Sequence, residues 1–123
     1  MPLDSIVASV AEFQGRVVTP DIFPGRGSYY RSAQFSMAKI GVPGVYLKSG
    51  THIRDKPMGW GKEQLDRWLE VHYHQRSDEY DPKWDLRGAI EDAQLLFYVA
   101  WLASDAPAMQ TWRPGDEFEQ YRK

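Results

Sequence analysis

The chain has 123 residues, a length that suits one small domain with a single core. Its 42% hydrophobic and 26% charged residues are typical of a soluble globular protein. The net charge of -2 leaves no cationic excess for phosphate backbones, and the absence of cysteine excludes disulfides and thiolate chemistry. We therefore expect a single domain over residues 1–123 that does not bind nucleic acid.

The first residues lack the basic and apolar regions of a signal peptide. The longest apolar run, residues 93–103, is too short to cross a bilayer. We expect a soluble chain with no membrane partner, cytoplasmic by default, although these residues do not determine its compartment.

Two helices are predicted in the first third of the chain. Apolar residues recur every three or four positions over 3–14, and Gly15 offers a stop. Ser32 is placed to cap a short helix over 33–40, which Gly41 would end.

Two further helices follow. The apolar positions of residues 62–72 have helical spacing, and Asp85 is placed to cap the longest helix, from 86 to about 104. The second half of that helix is apolar on nearly every side. It must therefore be covered on most sides, which the rest of this chain supplies thinly.

Short β-prone runs are limited to "RVV" at 16–18 and "GVYLK" at 44–48. The segments 20–30 and 50–61 are loops rich in glycine and proline. The elements thus predict a mainly helical chain with two or three short strands.

The stretch "YHQRSDEYDP", residues 73–82, is the main candidate for chemistry. His74 follows Tyr73 in a loop, and Asp78 or Glu79 could accept a hydrogen bond from its ring as the second shell of a metal ligand. The alternative is that the acids form a solvated turn leading to Asp85. His72 closes the apolar face of its helix, so we interpret it as a packed helix-end imidazole, and His52 as an exposed loop residue.

Three segments resemble the C-terminal part of the co-catalytic zinc aminopeptidases, peptidase family M twenty-eight. They are "YYRSAQFSMAKIGVPGVYLKSG", "KPMGWGKEQLDRWLEVHYHQRSDEYDPKWDLRGAIEDAQLLF" and "TWRPGDEF", in the family's order and with similar gaps. The resemblance implies part of an α/β zinc-peptidase sandwich, a mixed sheet with helices on both faces. It also implies that His74 corresponds to the last ligand of a two-zinc site and Tyr73 to a residue that polarises the scissile carbonyl.

The chain departs from the family pattern in two respects. The family needs a His-x-Asp motif, a bridging aspartate, a Glu-Glu pair and a further aspartate, and neither the His-x-Asp motif nor the Glu-Glu pair occurs here. Ala33 stands where family members commonly carry aspartate. Since a two-zinc site needs about three protein ligands per metal, the chain alone is expected to bind no zinc and to cleave no peptide.

These observations leave three functional hypotheses. The chain is a zinc-aminopeptidase-like portion that is inactive alone and self-associates, with a homodimer through the long helix or a strand edge as the simplest form. It is a peptide- or protein-binding module whose rim is formed by residues 20–30 and 50–61. Or it is one piece of a split metallopeptidase, completed by a complementary half.

Overall fold

The computed structural model describes residues 1–122. They form four α-helices: α1 (Leu3–Phe13), α2 (Gln34–Ala38), α3 (Trp60–Val71) and α4 (Arg87–Ser104). Short 3-10 turns cover Pro24–Arg26 and Glu119–Tyr121. None of the helices in this part of the chain has both the length and the hydropathy needed to span a bilayer.

The predicted α/β zinc-peptidase-like sandwich with two or three short strands is wrong. The described residues contain no β-sheet, and their only β-pairing is an isolated parallel bridge between Pro2 and Thr111. The β-prone runs at 16–18 and 44–48 are irregular. A strand exists only where a neighbouring strand satisfies its backbone groups, and no segment of the described chain takes that place.

The chain divides into two compact units. One comprises Met1–Leu47 and the described residues from Ala89 onward; the other is Lys48–Gly88. Helices α1 and α2 and nearly all of α4 belong to the first unit, and α3 belongs to the second.

The core of the first unit lies between α1 and α4. It consists of buried aliphatic side chains with Leu3, Val45 and Ala103 packed against them: Ile6, Val7, Val10, Ala11, Leu95 and Val99. The periodicity that predicted α1 therefore marks its buried face, except at Phe13, which is 86% exposed. Only one face of α4 is used in this way, because Leu95 and Val99 are its only buried residues.

Glycines end the first two helices, as the sequence predicts. After α1, the N–H of Gly15 donates to the carbonyl of Glu12 at 2.9 Å and that of Arg16 donates to Ala11 at 2.8 Å. Gly15 has a φ of +68°, so this is a Schellman ending. Gly41, with a φ of +85°, ends the region of α2 with the same pattern.

The predicted caps have different outcomes. Asp85 accepts the backbone N–H of Arg87, the first residue of α4, at 3.1 Å, which confirms its capping role. Ser32 does not cap α2: its hydroxyl donates to the carbonyl of Ser28 at 2.8 Å, one turn back along the chain. A serine can bond backward or forward, and sequence alone does not choose between the two.

An aromatic cluster holds the C-terminal segment on the first unit. Phe118 is buried among the rings of Tyr29, Tyr30, Phe35 and Trp112, with centroid distances of 5.4 to 6.4 Å. Burial raises the pKa of Tyr29, with Asp116, Glu117 and Asp4 adding to the effect. The hydrogen bond that Tyr30 donates to Glu117 raises the pKa of Tyr30.

Candidate functional site

The segment that follows α3 contains every predicted site residue and lies within the second unit. The helix ends at Val71, and the backbone N–H groups of His72 and Tyr73 both reach the carbonyl of Trp68, at 2.9 and 3.1 Å. The chain then turns tightly, because the N–H of Gln75 donates to the carbonyl of His72 at 2.9 Å. Tyr73 and His74 are the two central residues of this turn.

His74 has an unusual backbone conformation. Its φ is +58°, in the left-handed region that glycine and asparagine adopt more readily. Its ring stacks on that of Tyr73, with centroids 3.9 Å apart and planes inclined by 22°. Tyr73 in turn contacts Trp68 of α3 at 5.5 Å. The imidazole is thus held at an exposed turn by a ladder of rings based on the helix.

His72 has different surroundings from His74. Its Nδ1 lies 3.0 Å from the hydroxyl of Ser77 and 3.2 Å from the carbonyl of Ser77. The same hydroxyl donates to the carbonyl of Val71 at 3.0 Å, so both partners of Nδ1 are acceptors. Nδ1 therefore carries the proton, and His72 fastens the loop to the end of α3, consistent with the packed, helix-end role expected from the sequence.

The predicted second-shell acids lie beside His72. Asp78 and Glu79 line a hollow of about 220 Å³, together with Trp68, His72, Ser77, Asp81 and Trp84. Neither His74 nor Tyr73 lines it, and within the described residues no hydrogen bond joins the ring of His74 to Asp78 or Glu79. Two successive turns, at 72–75 and 75–78, connect His74 to the acids.

The residues present do not fit a zinc ion. Across residues 1–122, no group of three or more histidine, aspartate or glutamate side chains is arranged to hold a metal. His74 can supply only one ligand, whereas structural and catalytic zinc sites take at least three protein ligands. No reaction step through zinc follows from this chain alone.

Ser77 is the contact that sequence reasoning missed. Its hydroxyl bridges His72 and Val71 across the loop, five and six residues back. No motif marks such a spacing, since the bond depends on how the loop turns. The two loops proposed as a binding rim, residues 20–30 and 50–61, belong to different units.

Comparisons of this chain with protein-family models, with curated proteins and with solved structures found no match in any of the three.

Proposed function

We propose that this chain is a zinc-aminopeptidase-like portion that is inactive alone and contributes Tyr73 and His74 to a metallopeptidase site completed by a complementary half. The observation that carries the proposal is the conformation of His74. A non-glycine residue held at positive φ costs about 1–3 kcal/mol, and such residues cluster at ligand-binding sites. Asp55 in the same unit also has a positive φ, of +61°, but of the two only His74 offers an imidazole, the side chain that zinc binds most readily.

The ring ladder supports a ligand role for His74. Stacking on Tyr73, which itself packs on Trp68, limits the orientations open to the imidazole. A ligand whose orientation is fixed before binding loses less entropy when the metal arrives. The Tyr73 hydroxyl, on a ring that is 43% exposed, belongs to the same turn and is accessible to a substrate carbonyl.

The three segments that resemble the zinc aminopeptidases support the kinship, and the missing Glu-Glu and His-x-Asp motifs support the need for a second half. Those motifs supply the general base and most metal ligands in that family.

Reconstitution tests the proposal. The chain is mixed with the ligand-bearing N-terminal half of a zinc aminopeptidase and with zinc, and cleavage of an aminoacyl anilide is followed. We expect activity only when both halves and zinc are present. His74→Ala should reduce that activity by at least about 100-fold, since changes even beyond the first ligands cost 10–100-fold.

His52→Ala is the matched control, because it removes an exposed loop imidazole from the same unit. It should leave the reconstituted activity unchanged. Full activity of the His74→Ala mixture, or no activity in any mixture although the two halves bind each other, would overturn the proposal.

A further inference from the structure

The face of α4 opposite the core carries large apolar side chains. Leu95 and Val99 are buried, whereas Phe97 and Trp101, each two residues further along, are 58% and 61% exposed. A step of two residues is about 200° around a helix, so these rings point away from α1. Helical spacing adds further exposed residues to this outer face of α4, of which one is polar: Ile90, Ala93, Gln94, Tyr98 and Ala100.

We propose that the outer face of α4 binds the same face of a second copy of this chain, with the two helices antiparallel. The inference does not depend on the proposed kinship with metallopeptidases. It follows from the charge, the shape and the area of the face.

Charge favours a second copy as the occupant. Between Ala93 and Ser104 the helix has no charged residue, so two copies meet without like-charge contacts. The nearest acidic side chain on the helix, Asp92, is directed to the other side, where it pairs with Arg16 at 2.5 Å. An antiparallel arrangement also opposes the helix dipoles and separates Arg87 and Glu91 from their own copies.

Shape favours an antiparallel crossing at Phe97. With that residue facing its own copy, Trp101 lies opposite Ala93 of the second copy, because the two positions are equally distant from residue 97. The largest side chain of the face then meets one of the smallest, as knobs meet holes in helix packing. Ile90 lies opposite Ser104 in the same register.

The area suits a reversible dimer. The four large side chains of the face are each roughly half exposed: Ile90, Phe97, Tyr98 and Trp101. Since a large aromatic side chain buries 150–250 Å² in full, together they offer on the order of 500 Å² per copy. Two copies would bury about 1,000 Å² in total, the lower limit for a specific interface. Phe97 and Trp101 would be its central anchors.

Sedimentation equilibrium and disulfide trapping test this proposal with the full chain. The wild type should show a concentration-dependent shift from 14 kDa toward twice that mass. Phe97→Glu should weaken the dimer by at least about tenfold in dissociation constant, in line with the loss of an interface anchor. Phe13→Glu makes the same change at a side chain that is 86% exposed on α1, and it should leave the dimer intact.

The absence of cysteine makes trapping unambiguous. A mixture of Ala93→Cys and Trp101→Cys chains should form a mixed disulfide on oxidation, since these positions face each other only in the antiparallel pair. Ala93→Cys alone should not cross-link. A wild type that stays monomeric at every concentration would overturn the proposal. Cross-linking of Ala93→Cys with itself would overturn the antiparallel arrangement.

Discussion

The guanidinium of Arg16 lies 2.5 Å from the carboxylate of Asp92, and this ion pair joins the end of α1 to α4. Neighbouring contacts strengthen the junction: Gln14 donates to the carbonyl of Glu91 at 3.0 Å and accepts from Arg16 at 3.3 Å. The Schellman ending at Gly15 places Arg16 where it can reach across. The pair therefore fixes how α1 lies along the core face of α4.

Removing the Asp92 charge should lower the free energy of unfolding. Both side chains of the pair are less than one third exposed, so Asp92→Asn should cost about 1 kcal/mol, the upper range for such pairs. Asp66→Asn, which breaks the exposed Lys62–Asp66 pair within α3, is the comparison and should cost about 0.3–0.5 kcal/mol. Urea denaturation measures both, and equal costs would contradict this ranking.

Both the backbone conformation and the close neighbours of Gly41 favour glycine at this position. Its φ is +85°, and a Cβ at this position would lie 2.5 Å from the carbonyl oxygen of Tyr121. Gly41→Ala should therefore destabilise the chain by at least about 2 kcal/mol, from the left-handed backbone and the backbone overlap together.

Gly15→Ala is the control that isolates the cost of the left-handed backbone from the cost of the steric overlap. Gly15 also has a positive φ, of +68°, but a Cβ there would meet nothing within 4 Å. This variant should cost about 1 kcal/mol, for the backbone conformation alone. Thermal and urea unfolding give both values, and a Gly41→Ala cost no larger than that of Gly15→Ala would show that the tail does not approach Gly41.

The contacts between Asp85 and Arg87 at the N-terminal end of α4 should make the stability of the chain depend on pH. Hydrogen bonds from the side chain and backbone of Arg87 lower the pKa of Asp85 from 3.8 to about 2. Because the folded pKa lies below the unfolded one, the stabilisation from this pair is fully present above about pH 3.8 and is lost as the pH falls through about 2.

Carboxyl-carbon NMR titration measures the pKa of Asp85 directly. We expect a midpoint of about 2 in the wild type. In Arg87→Gln the midpoint should move up toward 3.8, although the backbone N–H of residue 87 remains. A wild-type midpoint already near 3.8 would show that the pair does not form in solution.

The backbone at His74 can be tested apart from its ring. His74→Gly and His74→Ala both remove the imidazole, but only glycine adopts a φ of +58° without cost. The glycine variant should therefore be more stable than the alanine variant by about 1 kcal/mol. At His52, whose φ is not positive, the order should reverse. Urea unfolding of the four variants provides the comparison, and an alanine variant at 74 as stable as the glycine variant would contradict the strained conformation.

Much of the helical structure could be predicted from local pattern. The apolar spacing of residues 3–14 and 62–72 indicates α1 and α3, whose observed bounds differ from the prediction by one or two residues. Asp85, Gly15 and Gly41 have the predicted roles because a cap or a left-handed ending depends on only a few neighbouring residues. Local chemistry decides such features.

The absence of the predicted strands could not be foreseen from local pattern. "RVV" and "GVYLK" have the composition of strands, but pairing depends on distant residues, and the described chain supplies no neighbouring strand. Tyr73 and His74 could be singled out from sequence because they are adjacent. The placement of Asp78 and Glu79 could not, since it depends on the successive turns at 72–75 and 75–78.

Nitrogen NMR of the histidine rings tests the central claim most directly. Zinc is added to the labelled chain in complex with the ligand-bearing N-terminal half of a zinc aminopeptidase. We predict a large shift of one ring nitrogen of His74, while the rings of His52 and His72 keep their resonances and the His74→Ala complex shows no such signal. A His74 ring that does not respond to zinc in a formed complex would contradict the account.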